Sequence, residues 1–162
     1  MAIVVSDTSP IRALVFVELL DLLPKLFGRV IVPPAVAFEL LKPARGFESI
    51  NVENYRFIEV VAPTGVTEVA RLRQTLDRGE SEALILAKEL QADVILIDEL
   101  AGRATAKRLD LHLIGTLGVL LRAKKIGQLE AIRPIVIRLI EELNFFVSQE
   151  LLEFILQSAG ES

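Results

Sequence analysis

The segment Val94-Ile95-Leu96-Ile97 is apolar at every position and is ended abruptly by Asp98-Glu99. A strand with one wet face alternates apolar and polar side chains, so an unbroken apolar run ended by charge reads as a parallel strand covered on both faces. Similar short runs recur along the chain. Ile3-Val4-Val5 precedes Ser6-Asp7-Thr8-Ser9-Pro10, and Val30-Ile31-Val32 precedes Pro33-Pro34. A run from 57 to 61 ends at Pro63, and Leu111 to Ile114 leads into Gly115-Thr116. Between them the apolar residues take helical spacing, as in Ala13, Leu14, Val17 and Leu20, where Ser9 is expected as N-cap and Pro10 as the first helical residue. Further helices are expected over 35–41, 67–76, 79–87, 102–109, 116–123, 129–143 and 148–157. Strands alternating with helices imply an α/β fold with a mostly parallel central sheet between helical layers. A length of 162 residues fits one domain, 1–162.

Composition removes whole classes of function. With 52% hydrophobic residues the chain is neither disordered nor a solvating tail. Its longest stretch free of Asp, Glu, Lys and Arg, 111–121, falls short of the ~18 residues that a membrane span needs. Absence of cysteine excludes disulfides, thiolate zinc, iron–sulfur clusters and a thiol nucleophile, and the lone His112 cannot build a multi-histidine metal site. No basic segment precedes the first apolar run, so no signal peptide and a cytoplasmic location are expected. The net charge of −4 argues against holding a polyanion by bulk charge. Setting four acids aside around a cation, however, leaves the remaining charges balanced.

Acids fall where such a fold puts its chemistry. Asp7 follows the first strand and Asp98 the fourth, so both should stand at the carboxyl rim of the sheet, where ligands bind. Glu39 lies in the apolar context Val36-Ala37-Phe38-Glu39-Leu40-Leu41, and Glu82 opens the most apolar helix. An ionised carboxylate buried without a partner costs several kcal/mol, so such groups are paired, hydrogen-bonded or bound to a cation. Converging carboxylates suit Mg²⁺ or Mn²⁺. Plainer roles compete: Asp7 as a turn or capping residue, Glu39 as a solvent-facing one, Glu80 and Glu82 as first-turn charges. Arg103 could pair with Glu99 at i,i+4 or meet a phosphate. Lys107, Arg108, Arg122, Lys124 and Lys125 could rim a groove for a polyanion or form a solvated face. No Gly-x-x-x-x-Gly-Lys or Gly-x-Gly-x-x-Gly pattern supports a nucleotide fold.

Taken in order, Ser6-Asp7-Thr8-Ser9-Pro10, Val30 to Pro34 leading to Phe38-Glu39-Leu40, Gly79-Glu80-Ser81-Glu82-Ala83, Ile97-Asp98-Glu99 with Gly102-Arg103, and Gly115-Thr116-Leu117-Gly118 resemble the PIN domain family. The resemblance is closest to its prokaryotic VapC-like branch of the Gly-Glu-x-Glu-Ala and Gly-Thr-x-Gly type, and spans about residues 2–155. It implies a single PIN-like domain and a metal-dependent endoribonuclease. Asp7, Glu39, Glu82 and Asp98 take the positions of the catalytic and metal-binding acids for one or two Mg²⁺ or Mn²⁺ ions. Glu82 departs from the aspartate common at the third position, leaving Glu80 as an alternative there and Glu99 as one for Asp98. Thr8, Ser9, Arg103 and Thr116 are auxiliary candidates to contact a metal-held water or the phosphate. The implied partners are an RNA substrate, a second copy in a homodimer and a cognate antitoxin, with no membrane; substrate choice is expected to lie in 42–65 and the dimer groove. A catalytically silent RNA- or partner-binding module is the competing reading. Phospho-acceptor receiver folds and haloacid-dehalogenase phosphatases lack support, because no second acid accompanies Asp7.

Overall fold

A computed structural model describes residues 2–44 and 46–161; Met1, Arg45 and Ser162 of the expected 1–162 domain lie outside the described residues. The short β-branched runs become strands β1 (Val4–Ser6), β2 (Val30–Val32), β3 (Ile58–Val60), β4 (Val94–Leu96) and β5 (Leu113–Ile114). They form one sheet in the order β3-β2-β1-β4-β5, parallel throughout. Alternate residues of each strand serve opposite cores. Val4, Val30, Val32, Val94 and Leu96 pack into one, while Val5, Ile95 and Ile97 pack into the other. This two-sided burial is why the fourth run contains no polar residue. Each such fully covered side chain is worth roughly 1.5–3 kcal/mol.

Nine α-helices are found among the described residues: α1 (Thr8–Phe16), α2 (Leu22–Phe27), α3 (Pro34–Leu41), α4 (Val66–Leu72), α5 (Arg78–Glu89), α6 (Leu100–Arg108), α7 (Thr116–Lys125), α8 (Arg133–Leu143) and α9 (Gln149–Ser158). The larger core gathers residues of α1, α2, α3, α7, α8 and α9, the smaller those of α5 and α6. None of the helices is long and apolar enough to cross a membrane.

Two local expectations are corrected. The first helix begins at Thr8 with Asp7 at the N-cap, not with Ser9 capping Pro10. The Asp7 N–H is held by the Leu96 carbonyl at 2.9 Å, so the chain turns as soon as it leaves the sheet. Pro10 still lies in the first turn, where a missing N–H leaves no helical bond unmade. The apolar spacing through Val17 and Leu20 does not continue that helix either, because Glu18 takes a left-handed φ of 60° and the chain restarts as α2. At the other end, Glu161 fastens the chain. Its carboxylate accepts from the Ile132 and Arg133 N–H groups at the start of α8 and from Lys124 Nζ at 2.8 Å. These donors hold its pKa down to about 2.

The strand order places a topological switch at β1/β4. From β1 the chain moves outward through β2 and β3, then returns to the opposite side of β1 with β4 and β5. In open parallel sheets the crevice beyond the carboxyl ends of such a strand pair is the ligand position.

Candidate active site

Asp7 and Asp98 leave β1 and β4 at that crevice. Asp7 is buried, and although it occupies the N-cap of α1 it makes no capping hydrogen bond among the described residues. Its carboxylate is therefore free of the structural duty its position suggests. Burial pushes its pKa up to about 7; the Thr8 N–H opposes this, while the charges of Asp77, Glu39 and Asp98 add to it.

Asp98 is anchored differently. Its Oδ1 accepts from the Thr116 N–H at 2.8 Å and its Oδ2 from the Thr116 hydroxyl at 2.7 Å. The carboxylate thus satisfies a donor left open at the start of α7, a favourable place for an anion. Burial raises its pKa, against the pull of Thr116 and the Arg103 guanidinium. Arg103 donates to the Ile97 carbonyl at 3.2 Å, and no ion pair with Glu99 forms among the described residues. Thr116 is wholly buried and bound to Asp98, and Glu99 is exposed. Gly115 leaves room for this arrangement: a Cβ on it would lie 2.8 Å from Arg103 Nη1 and 2.9 Å from Asp98 Oδ1, so those side chains would have to shift.

Glu80 and Glu82 lie on different faces of α5. Glu82 binds Arg78 Nε at 3.0 Å through Oε2 and the Ala35 N–H at 3.1 Å through Oε1. Ala35 lies in the first turn of α3, whose N-cap is Pro33 and has no side-chain acceptor, so Glu82 caps that helix from a distance. The apolar setting of Glu82 is thereby explained without a cation. Glu80, two residues earlier, points elsewhere. It is buried, its Oε2 has no hydrogen-bond partner among the described residues, and that oxygen would be 2.9 Å from a Cβ on Gly102. Burial pushes its pKa up to about 8, reinforced by hydrogen bonding of its protonated carboxyl with Asp77 and by the charges of Asp77, Asp7 and Glu99.

Asp77 went unseen in the sequence. It is the N-cap of α5, accepting from the Glu80 N–H at 2.8 Å, and its charge acts on both Asp7 and Glu80. The available signal was an Asp three residues ahead of an acid at a helix start, a pattern that normally means only capping. Glu39 completes the group from α3. Its Oε2 accepts from Thr8 Oγ1 at 3.2 Å and would be 2.9 Å from a Cβ on Gly79. Ser9 is only partly buried, and His112 is exposed.

The crevice thus brings together Asp7, Asp77, Glu80, Asp98 and Glu39, with Glu99 at its edge, and leaves Glu82 out. Arg103 is the cation whose charge reaches Asp98. Three of the five acids press against glycines, where a Cβ would take up part of the space. An orphaned buried carboxylate oxygen and mutually raised pKa values are what a hard divalent cation relieves. As arranged, no group of three or more Asp, Glu or His side chains among the described residues encloses a single ion position.

Comparison with known proteins adds one result. No curated protein shows significant similarity to the chain. The family model DUF3368, described as a PIN domain, matches residues 3–161, and its nuclease-type fold agrees with the all-parallel sheet and rim of acids found here. The chain is a member of the PIN domain family.

Proposed function

We propose that this PIN domain is a divalent-metal-dependent endoribonuclease whose Mg²⁺ or Mn²⁺ is held by Asp7, Glu39, Glu80 and Asp98, with Asp77 completing the charge. The observation that carries the reading is the buried Glu80 Oε2, which has no donor among the described residues and is surrounded by like charges. Burial keeps this carboxyl protonated up to about pH 8, and a divalent cation would take the place of that proton. Glu82, the third acid by motif position, is left to its capping role by this reading.

Such a cation supplies a Lewis acid for the phosphodiester and lowers the pKa of water enough for attack at neutral pH. The chain's own residues do the rest. Thr116 holds both oxygens of Asp98 in place, Asp7 stands at the N-cap of α1 without a capping hydrogen bond among the described residues, and Arg103 stands beside Asp98 where a phosphate oxygen can meet its guanidinium. The finer assignments rest on the resemblance to VapC-like proteins. They are a toxin role with a cognate antitoxin, a cytoplasmic setting and a homodimer, to which the exposed Phe146 and Phe154 add an apolar surface.

Incubation of the purified protein with labelled structured and single-stranded RNAs in Mn²⁺, Mg²⁺ or EDTA, beside Asp7→Asn, tests the proposal. Metal-dependent cleavage lost in the variant is expected. A protein that neither cleaves nor binds metal refutes it and favours the catalytically silent binding module.

A further inference from the structure

The side chain of Arg12 belongs to none of the motifs, yet it is mostly buried beside the site, with 13% of its side chain exposed. It lies one turn after Thr8 on α1, and both residues reach Glu39. The Thr8 hydroxyl donates to Glu39 Oε2 at 3.2 Å, and Arg12 Nη1 stands 3.9 Å from Oε1. Arg12 Nη2 donates at 2.8 Å to the backbone carbonyl of Glu39 and at 3.2 Å to that of Lys42. Both carbonyls lie at the end of α3, where that of Glu39 also accepts from the Lys42 N–H at 3.1 Å, so Arg12 shares the first with the C-cap and adds a donor to the second. The guanidinium rests 5.5 Å from the Phe47 ring centroid. Its Nε is buried with no partner among the described residues, so the group is placed for what Nη1 and Nη2 reach and not for saturation of its donors.

We infer that Arg12 is the positioning residue for Glu39: its planar fork ties the backbone and the carboxylate of that residue to the helix that begins at Asp7. The inference rests on the metal-site reading above. A carboxylate 40% exposed on a helix end has rotamers that point to solvent. Gripping the Glu39 carbonyl sets where the side chain starts, and the charge at 3.9 Å draws Oε1 inward without occupying its lone pairs. Lysine keeps the charge but not the fork, since a single ammonium cannot reproduce the planar, pre-arranged donors of a guanidinium. Charge and positioning can therefore be separated.

The test is Mn²⁺ titration by calorimetry of wild type, Arg12→Lys, Arg12→Gln and Glu39→Gln, alone and combined, with thermal melts in parallel. Residues that orient ligands usually change metal affinity by about 10–100-fold. A rise in Kd of about tenfold is expected for both Arg12 variants, and no further rise when either is added to Glu39→Gln, because the two residues act as one unit. Should the Arg12 variants fail to fold, Phe47→Leu, which removes the ring under the guanidinium and no hydrogen bond, is expected to raise Kd in the same direction by a smaller factor. Lower melting temperatures with unchanged Kd, or tighter binding in Arg12→Gln with none lost in Arg12→Lys, overturn the inference alone. Wild-type protein that binds no Mn²⁺ overturns the proposed function, and this inference with it.

Discussion

Replacing Asp7 by asparagine should make the metal-free protein more stable, although it removes the central acid of the site. The carboxyl holds its proton up to about pH 7 in the fold, chiefly because it is buried, and then because Asp77, Glu39 and Asp98 surround it. In the unfolded chain an aspartate releases its proton near ~3.9. The folded state therefore binds this proton more tightly, so stability is highest at low pH and falls as pH rises from about 4 through about 7. At about 1.4 kcal/mol for each tenfold change in proton affinity, the difference reaches a ceiling of about 4 kcal/mol by pH 8. Asparagine fills the same volume and never ionises. In EDTA at pH 8 the variant is expected to exceed wild type by about 2–4 kcal/mol, with the gap closing by about pH 4. Urea unfolding followed by far-ultraviolet circular dichroism at several pH values measures it directly. Saturating Mn²⁺ should reverse the order, since only wild type gains stability by binding. A variant less stable than wild type at pH 8, or a gap that does not change with pH, refutes the reasoning and makes Asp7 a structural carboxylate.

Other expectations follow from the same contacts. Glu80→Gln should abolish Mn²⁺ binding in calorimetry, whereas Glu82→Gln should leave Kd near wild type and cost about 1 kcal/mol through its weakened bonds to Ala35 and Arg78; the opposite ranking would return the third acid to Glu82. Thr116→Val removes the 2.7 Å hydroxyl bond to Asp98 and should cost about 1.5–3 kcal/mol in chemical denaturation, with weaker Mn²⁺ binding. Glu161→Gln should loosen the carboxyl-terminal tail, seen as faster amide exchange at Ile132 and Arg133. Because the wild-type acid stays ionised down to about pH 2, its contribution is present above the ordinary glutamate range of ~4.3 and disappears as pH falls toward 2. The two proteins should then exchange alike at the acid end, and a difference that persists there would refute the assignment.

Much of this protein is legible in local chemistry. Four consecutive apolar residues, three of them β-branched, ended by Asp98 suit a short strand with both faces covered, and a carboxylate at its end then lies at the sheet rim. The same reasoning placed Asp7, and the proline pair after Val32 placed the start of α3. Local signals were insufficient wherever a residue's role depends on a partner distant in sequence. Glu80 and Glu82 sit on one helix turn with similar neighbours, and successive residues are rotated by about 100°, so one faces Asp7 and the other the start of α3. Which is which depends on how α5 is rolled between α3 and α6, a consequence of packing over the whole of both cores. Asp77 reads as an ordinary cap until the fold brings Asp7 beside it, and Arg12 as a surface charge until α3 ends against it. The sequence by itself determined the strands, the α/β class and the two aspartates at the rim, because burial periodicity and chain ends are local properties. Only the tertiary structure decided which further carboxylates share their electrostatic field, because that depends on distances between segments that sequence spacing does not encode.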